Sequence, residues 1–182
     1  MWMPNYQTYY GVHFDHHTET WGGVTYNKLL VLEYPDTNLV CTATTDATGS
    51  VSIDFLYPSL VQSKYFLDGV VDGSVTFKAD ATAGRTCTGY SVSLNKRSST
   101  GALTNLGTMS YTFSPTYTFT ANGYLTVPVF IILSKQPVNE NEKLILSISL
   151  ATGMAAGQLF LSHANDSSCP DIKIRLPYAP TG

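Results

Sequence analysis

Leu144-Ile145-Leu146-Ser147-Ile148-Ser149-Leu150 places Leu144, Leu146, Ile148 and Leu150 on one face and Ile145, Ser147 and Ser149 on the other. A period of two is that of a β-strand, whose successive side chains point to opposite sides, here one to core and one to water. The same alternation recurs outward from this segment. Ile172, Ile174, Leu176 and Tyr178 alternate with Asp171, Lys173, Arg175 and Pro177. Tyr90, Val92 and Leu94 alternate with Ser91, Ser93 and Asn95, and Val51, Ile53, Phe55 and Tyr57 with Ser52, Asp54 and Leu56. Thr-rich runs such as Tyr117-Thr118-Phe119-Thr120 suit strands as well, because β-branched and aromatic side chains fit a pleated surface.

Turn residues punctuate these runs: Asp46 to Gly49, Asp72-Gly73, Ala83-Gly84, Ser98 to Gly101, Asn122-Gly123 and Pro137 to Asn141. Glycine and asparagine supply the positive φ that tight turns need. The pattern predicts strands over 27–34, 38–45, 50–57, 70–79, 87–96, 105–113, 116–121, 124–134, 142–150, 157–163 and 171–178. No segment carries a 3.6-residue period. The expected fold is all-β, an antiparallel β-sandwich of jelly-roll type, in one domain spanning 25–178 with a short tail at 179–182.

Composition narrows the function classes. Charged residues make up 13% of the 182, against about 25% in an average soluble domain. Thr and Ser fill the deficit, at 23 and 17 residues. The net charge is -3, and Lys96-Arg97 is the one adjacent basic pair, so no nucleic-acid partner is expected. The apolar run from Val127 to Leu133 is short and interrupted by Pro128, so no membrane partner is expected either. The opening Met1-Trp2-Met3-Pro4-Asn5-Tyr6 has no basic stretch followed by an apolar one, which predicts no secretory signal and synthesis in a cytoplasm. Cys41, Cys87 and Cys169, odd in number and far apart, predict free thiols.

Residues 1–24 differ from the rest: they hold Trp2, Tyr6, Tyr9, Tyr10, Phe14 and Trp21 but no long aliphatic run. They read as an extended aromatic arm with Trp2, Tyr6, Tyr9, Tyr10 and Trp21 as inter-subunit anchors, since interface cores are rich in aromatics. The alternative is an arm folded back onto its own sandwich. On the first reading, deleting 1–24 leaves a folded chain that no longer assembles.

Groups that could carry chemistry are few. His13, Asp15, His17 and Glu19 would project from one face of a strand, a spacing that permits a transition-metal site without specifying one. Asp68-Gly69-Val70-Val71-Asp72-Gly73 brings two carboxylates together but falls short of the six to eight oxygens that calcium takes. No Gly-x-Ser-x-Gly elbow and no phosphate-binding glycine loop occurs. No cofactor is expected. The tyrosines read as caps on the core and as subunit contacts, with exposed sugar-stacking faces as the competing use.

The strand pattern of 27–178 and the segment Val138-Asn139-Glu140-Asn141-Glu142-Lys143-Leu144 resemble the jelly-roll structural proteins of virus and phage particles: capsid, head-decoration and tail-associated subunits. The resemblance implies a virion structural protein, located in the virion, self-assembling into a homo-oligomer, bound to other shell or tail subunits, and without catalysis. The alternative is a glycan-binding β-sandwich module at a particle or cell surface.

Overall fold

The computed structural model describes residues 5–14, 17–32, 42–45, 53–58, 63–151, 159–163 and 172–179. These residues hold strands and no helix. The strands are β1 (Asn5–His13), β2 (Glu19–Trp21), β3 (Val24–Tyr26), β4 (Lys28–Val31), β5 (Thr42–Thr45), β6 (Ile53–Leu56) and β7 (Tyr65–Ala79). They continue with β8 (Thr86–Ser98), β9 (Leu103–Thr118), β10 (Tyr124–Val138), β11 (Glu142–Ala151), β12 (Leu159–His163) and β13 (Ile172–Tyr178). The segments predicted at 105–113 and 116–121 merge into β9, and β1, β2 and β3 are additions.

One hydrogen-bonded path runs β5-β12-β7-β13-β1-β4-β6-β11-β8-β9, and β10 also pairs with β7. Its ladders are antiparallel except at β4 and β6, where Leu29 lies parallel to Leu56. β9, at one end of the path, and β10, which pairs with β7 near the other, are joined through Asn122 (φ 55°) and Gly123 and lie side by side. There the Phe130 N–H reaches Met109 Sδ at 3.2 Å, and Gly107 leaves room for Ile131. The result is a large mixed sheet curled almost into a barrel. Two separate packed sheets, as a jelly roll would have, are not what the hydrogen bonds trace: the path is continuous through β1 and β4.

Alternation explains the core. Phe55, Val71, Val75, Phe77, Leu146 and Ile174 all face inward and are buried. A smaller cluster lies on the outer side, where Ile145 shares a face with Ser147 and Ser149 but is buried with Tyr26, Leu29 and Leu56. The hairpin of β2 and β3 covers it, with Trp21 packed against it. Gly22 and Gly23, at φ 59° and 79°, make the two-residue turn of that hairpin.

The expected arm is corrected over its described part. β1 pairs with β13 from Asn5 to Gly11 and with β4 from Tyr10 to His13, so it is an interior strand of the sheet. Tyr9, Gly11 and Val12 of this strand are buried. Short aromatic and small residues fill this strand where aliphatic ones were sought. The Asp72-Gly73 turn is also corrected: both residues lie within β7. Gly73 has a φ of 150°, and a Cβ there would run into the Lys173 carbonyl of β13, so the glycine permits a close approach between strands.

Candidate functional site

β8 and β9 build an aromatic groove at one end of the curled sheet. Tyr90 of β8 lies opposite Tyr111 of β9. Two positions earlier the pairing slips, because Gly89 faces Thr112 while Cys87 faces Tyr117. Residues 113–116 of β9 stand against Thr88 alone and form a bulge, a device that re-aims side chains. Phe113 is thereby set 6.0 Å from the Tyr90 ring centroid and 5.2 Å from that of Tyr111. Tyr117 and Phe119 carry the row on, at 5.9 Å and 4.9 Å between successive rings.

Tyr90 anchors this row. Its ring is buried beside Phe77, and its hydroxyl donates to the Pro128 carbonyl at 2.6 Å. Burial, with Tyr111 adding to it, pushes the Tyr90 hydroxyl above its ordinary pKa, so it stays a neutral donor. Tyr111, by contrast, is 54% exposed. On one side of these two rings is an apolar recess of about 270 Å³ against Phe113, Val127 and Pro128. On the other is a groove of about 320 Å³ lined by hydroxyls, Ser91, Ser110, Ser149 and Thr112 among them. Ser91 and Ser149 share a hydrogen bond of 2.7 Å. No charged side chain is among those lining either part. Such a surface takes a neutral ligand with one apolar or planar part and one part rich in hydrogen-bonding groups.

The residues singled out from sequence lie elsewhere. Tyr9 is buried at 3% exposure and bonded within the chain, which removes it from any contact with a second subunit. Tyr6 lies under the Arg175 guanidinium at 4.1 Å, Tyr10 under Lys173 at 5.9 Å, and Trp21 donates from its indole N–H to the Arg97 carbonyl at 2.6 Å. Each of these three contacts this chain's own strands. Trp2 and Asp15 lie outside the described residues. His17 Nε2 meets Glu19 Oε1 at 2.9 Å, but the described residues contain no group of three His, Cys, Asp or Glu side chains placed to hold a metal ion. Asp72 is engaged by Arg175 through two bonds of 2.8 Å and 2.6 Å. Cys87 is buried with its thiol directed at the Gly89 carbonyl; Cys41 and Cys169 lie outside the described residues.

The groove was missed because its signal is spread out. Tyr90 reads as a core position, and Tyr111 and Phe113 read as the end of a strand. The one local cue is the row of aromatics at 111, 113, 117 and 119, broken by Ser114-Pro115.

An all-β unit with an uncharged aromatic end groove is the class these features define. No protein-family model matches the chain. No curated protein matches it either. Solved structures do. It is similar to a CocE/NonD family hydrolase from Staphylococcus aureus at a TM-score of 0.66 and 8% identity, over 98% of this chain and 37% of that one. It is similar to an aminopeptidase from a marine sediment Thaumarchaeota archaeon at a TM-score of 0.66 and 6% identity, over 97% of this chain and 37% of that one. An α-amino acid ester hydrolase follows at a TM-score of 0.50, 9% identity, 81% of this chain and 32% of its own. The chain thus spans about a third of the length of the structures it matches. At these identities the likeness is one of fold.

These findings correct the expectation of a virion structural protein without catalysis. The similar structures named, at TM-scores of 0.50 to 0.66, are those of hydrolases and an aminopeptidase. A structure of infectious bursal disease virus, Gx strain, aligns at a TM-score of 0.29 and 12% identity, too low to carry an argument.

Proposed function

We propose that the chain is a curled β-sheet module of a hydrolase, and that its end groove holds part of a neutral acyl or aminoacyl substrate. The alignment of 97–98% of this chain with about a third of hydrolase and aminopeptidase chains is the observation that supports this most. The groove supplies the chemistry. Tyr111, Phe113 and Pro128 offer an apolar surface for an acyl chain or aromatic side chain, and the Ser and Thr hydroxyls face the ester or amide. A neutral substrate loses little solvation on entering a groove lined without charges.

The test is a nuclear magnetic resonance titration with an N-acetylated aromatic amino-acid ester, with acid release followed in parallel. We expect shifts at Tyr90, Tyr111 and Phe113, and an affinity about tenfold weaker in Tyr111→Ala, the loss of one aromatic contact. Because Tyr111 is largely exposed, the variant's stability should change by no more than about 0.5 kcal/mol. An affinity unchanged by Tyr111→Ala, or shifts confined to another face, would overturn the reading.

A further inference from the structure

Far from the groove, four tyrosines close the other mouth of the curled sheet. Tyr9 of β1, Tyr57 just past β6, Tyr65 at the start of β7 and Tyr178 at the end of β13 all project inward and line a cavity of about 280 Å³. The Tyr57 N–H bonds to the Leu144 carbonyl, whereas the groove lies at Leu150 of the same strand. Six residues of strand separate these levels, roughly 20 Å. Barrel mouths are recurrent ligand sites.

The rings come from β1, the residue after β6, β7 and β13, and three of their hydroxyls converge. Tyr9 Oη is 2.6 Å from Tyr178 Oη and donates to Tyr57 Oη at 3.2 Å. The ring pairs are inclined: Tyr9 and Tyr57 meet edge to face at 4.7 Å, and Tyr65 and Tyr178 tilt by 48° at 5.5 Å. Neither pair consumes its π-faces by parallel stacking. Tyr57, Tyr65 and Tyr178 are half-buried, so the cavity opens outward while Tyr9 forms its floor.

The side chains described as lining the mouth do not repel a cation. The lining described contains no basic side chain. Lys64 and Lys135, the nearby lysines, are drawn over the Phe66 ring at 5.1 Å and 4.7 Å, and Phe66 projects opposite to Tyr65 on the strand. Lys96 is held by the Pro137 carbonyl and Glu142. Burial, together with the neighbouring phenols, raises the pKa of Tyr9 and Tyr65, so these rings stay neutral and present a quadrupole rather than a phenolate.

We infer that this four-tyrosine mouth is an aromatic cage for a small organic cation of the quaternary or methylated ammonium class. Clustered aromatic faces attract such cations, whose diffuse charge is cheaply stripped of water. The cavity lies just below the range of about 300–1,000 Å³ for ordinary small-molecule sites, which fits a ligand of choline size. A hydroxyl on the ligand can join the phenol network.

The test compares choline with 3,3-dimethyl-1-butanol, the same shape with carbon in place of the charged nitrogen, by titration against the whole chain. We expect choline to bind about tenfold more tightly than the neutral isostere. Tyr65→Leu should abolish that preference, Tyr178→Phe should keep it because the ring remains, and Tyr111→Ala in the distant groove should leave it unchanged. If Tyr65→Leu does not fold, as judged by circular dichroism, Tyr57→Leu replaces it. Equal binding of the two probes, no binding of choline, or a preference that survives loss of a ring would overturn the cage.

Discussion

Deleting residues 1–13 abolishes the cooperative fold. β1 is the strand that joins the two halves of the path, with β13 on one side and β4 on the other. β4 is tied to β6 by the single residue pair Leu29 and Leu56, so without β1 it has no extended partner among the described residues. The deletion also removes Tyr9 and Val12 from the core, each worth about 1.5–3 kcal/mol of burial. It leaves one edge of β13 unpaired within the sheet, where open N–H and C=O groups cost further free energy. Against a net stability of about 5–15 kcal/mol, these losses together consume most of what a domain has. Far-ultraviolet circular dichroism through a urea titration should show a single transition for the whole chain and none for the truncated one. A truncated chain that unfolds at the same midpoint would show β1 to be dispensable. The arm reading predicts that opposite result for a deletion over the same region, so one measurement separates them.

The contrast between β1 and β11 shows which parts of this fold were legible. Leu144, Leu146, Ile148 and Leu150 announce a half-buried strand because aliphatic and polar residues strictly alternate. Tyr6, Gln7, Thr8, Tyr9, Tyr10, Gly11 and Val12 do not, since tyrosine serves on both faces: Tyr9 inside, and Tyr6 and Tyr10 outside under Arg175 and Lys173. An aromatic strand and an aromatic arm have the same composition. Only the long-range partners, 169 residues away in the case of Tyr9 and Tyr178, tell them apart. The same holds for Asp72-Gly73, where a turn dipeptide sits in mid-strand because the Lys173 carbonyl needs the space. Both aromatic sites depend on such distant meetings. The groove draws on β8, β9 and β10, and the cage on β1, the residue after β6, β7 and β13, segments spread from Tyr9 to Tyr178. Binary patterning reports what each strand buries, and it carries no record of which strands share an end.

Lys96→Met should cost about 3 kcal/mol and should flatten the acid limb of the stability curve. Lys96 is a buried cation at 9% exposure, on β8 among core residues. Its ammonium donates to the Pro137 carbonyl at 2.8 Å and to Glu142 Oε1 at 3.0 Å, and Glu142 Oε1 also accepts from the Asn139 N–H at 2.9 Å. These bonds tie the loop between β10 and β11 to β8. Removing the lysine leaves a carboxylate with little water and one partner fewer, and a buried pair broken on one side loses about 3–5 kcal/mol. Methionine fills the space of the lysine stem, which brings the expectation to the lower figure. Burial alone would raise the Glu142 carboxyl, but the Asn139 N–H and the Lys96 ammonium outweigh it and hold the carboxyl below its ordinary 4.5. The folded state therefore binds this proton less readily than the unfolded chain does. The pair's contribution is complete above about pH 4.5 and is lost as the pH falls through the lower, folded value. Urea unfolding at pH 7 and pH 3 should show the gap between Lys96→Met and the parent chain narrow at the lower pH. A double variant, Lys96→Met with Glu142→Gln, should recover part of the loss at pH 7, because it removes the stranded charge. An equal gap at both pH values would mean that Lys96 acts through its bond to the Pro137 carbonyl, and that the ion pair contributes nothing to the closure of the β10–β11 loop.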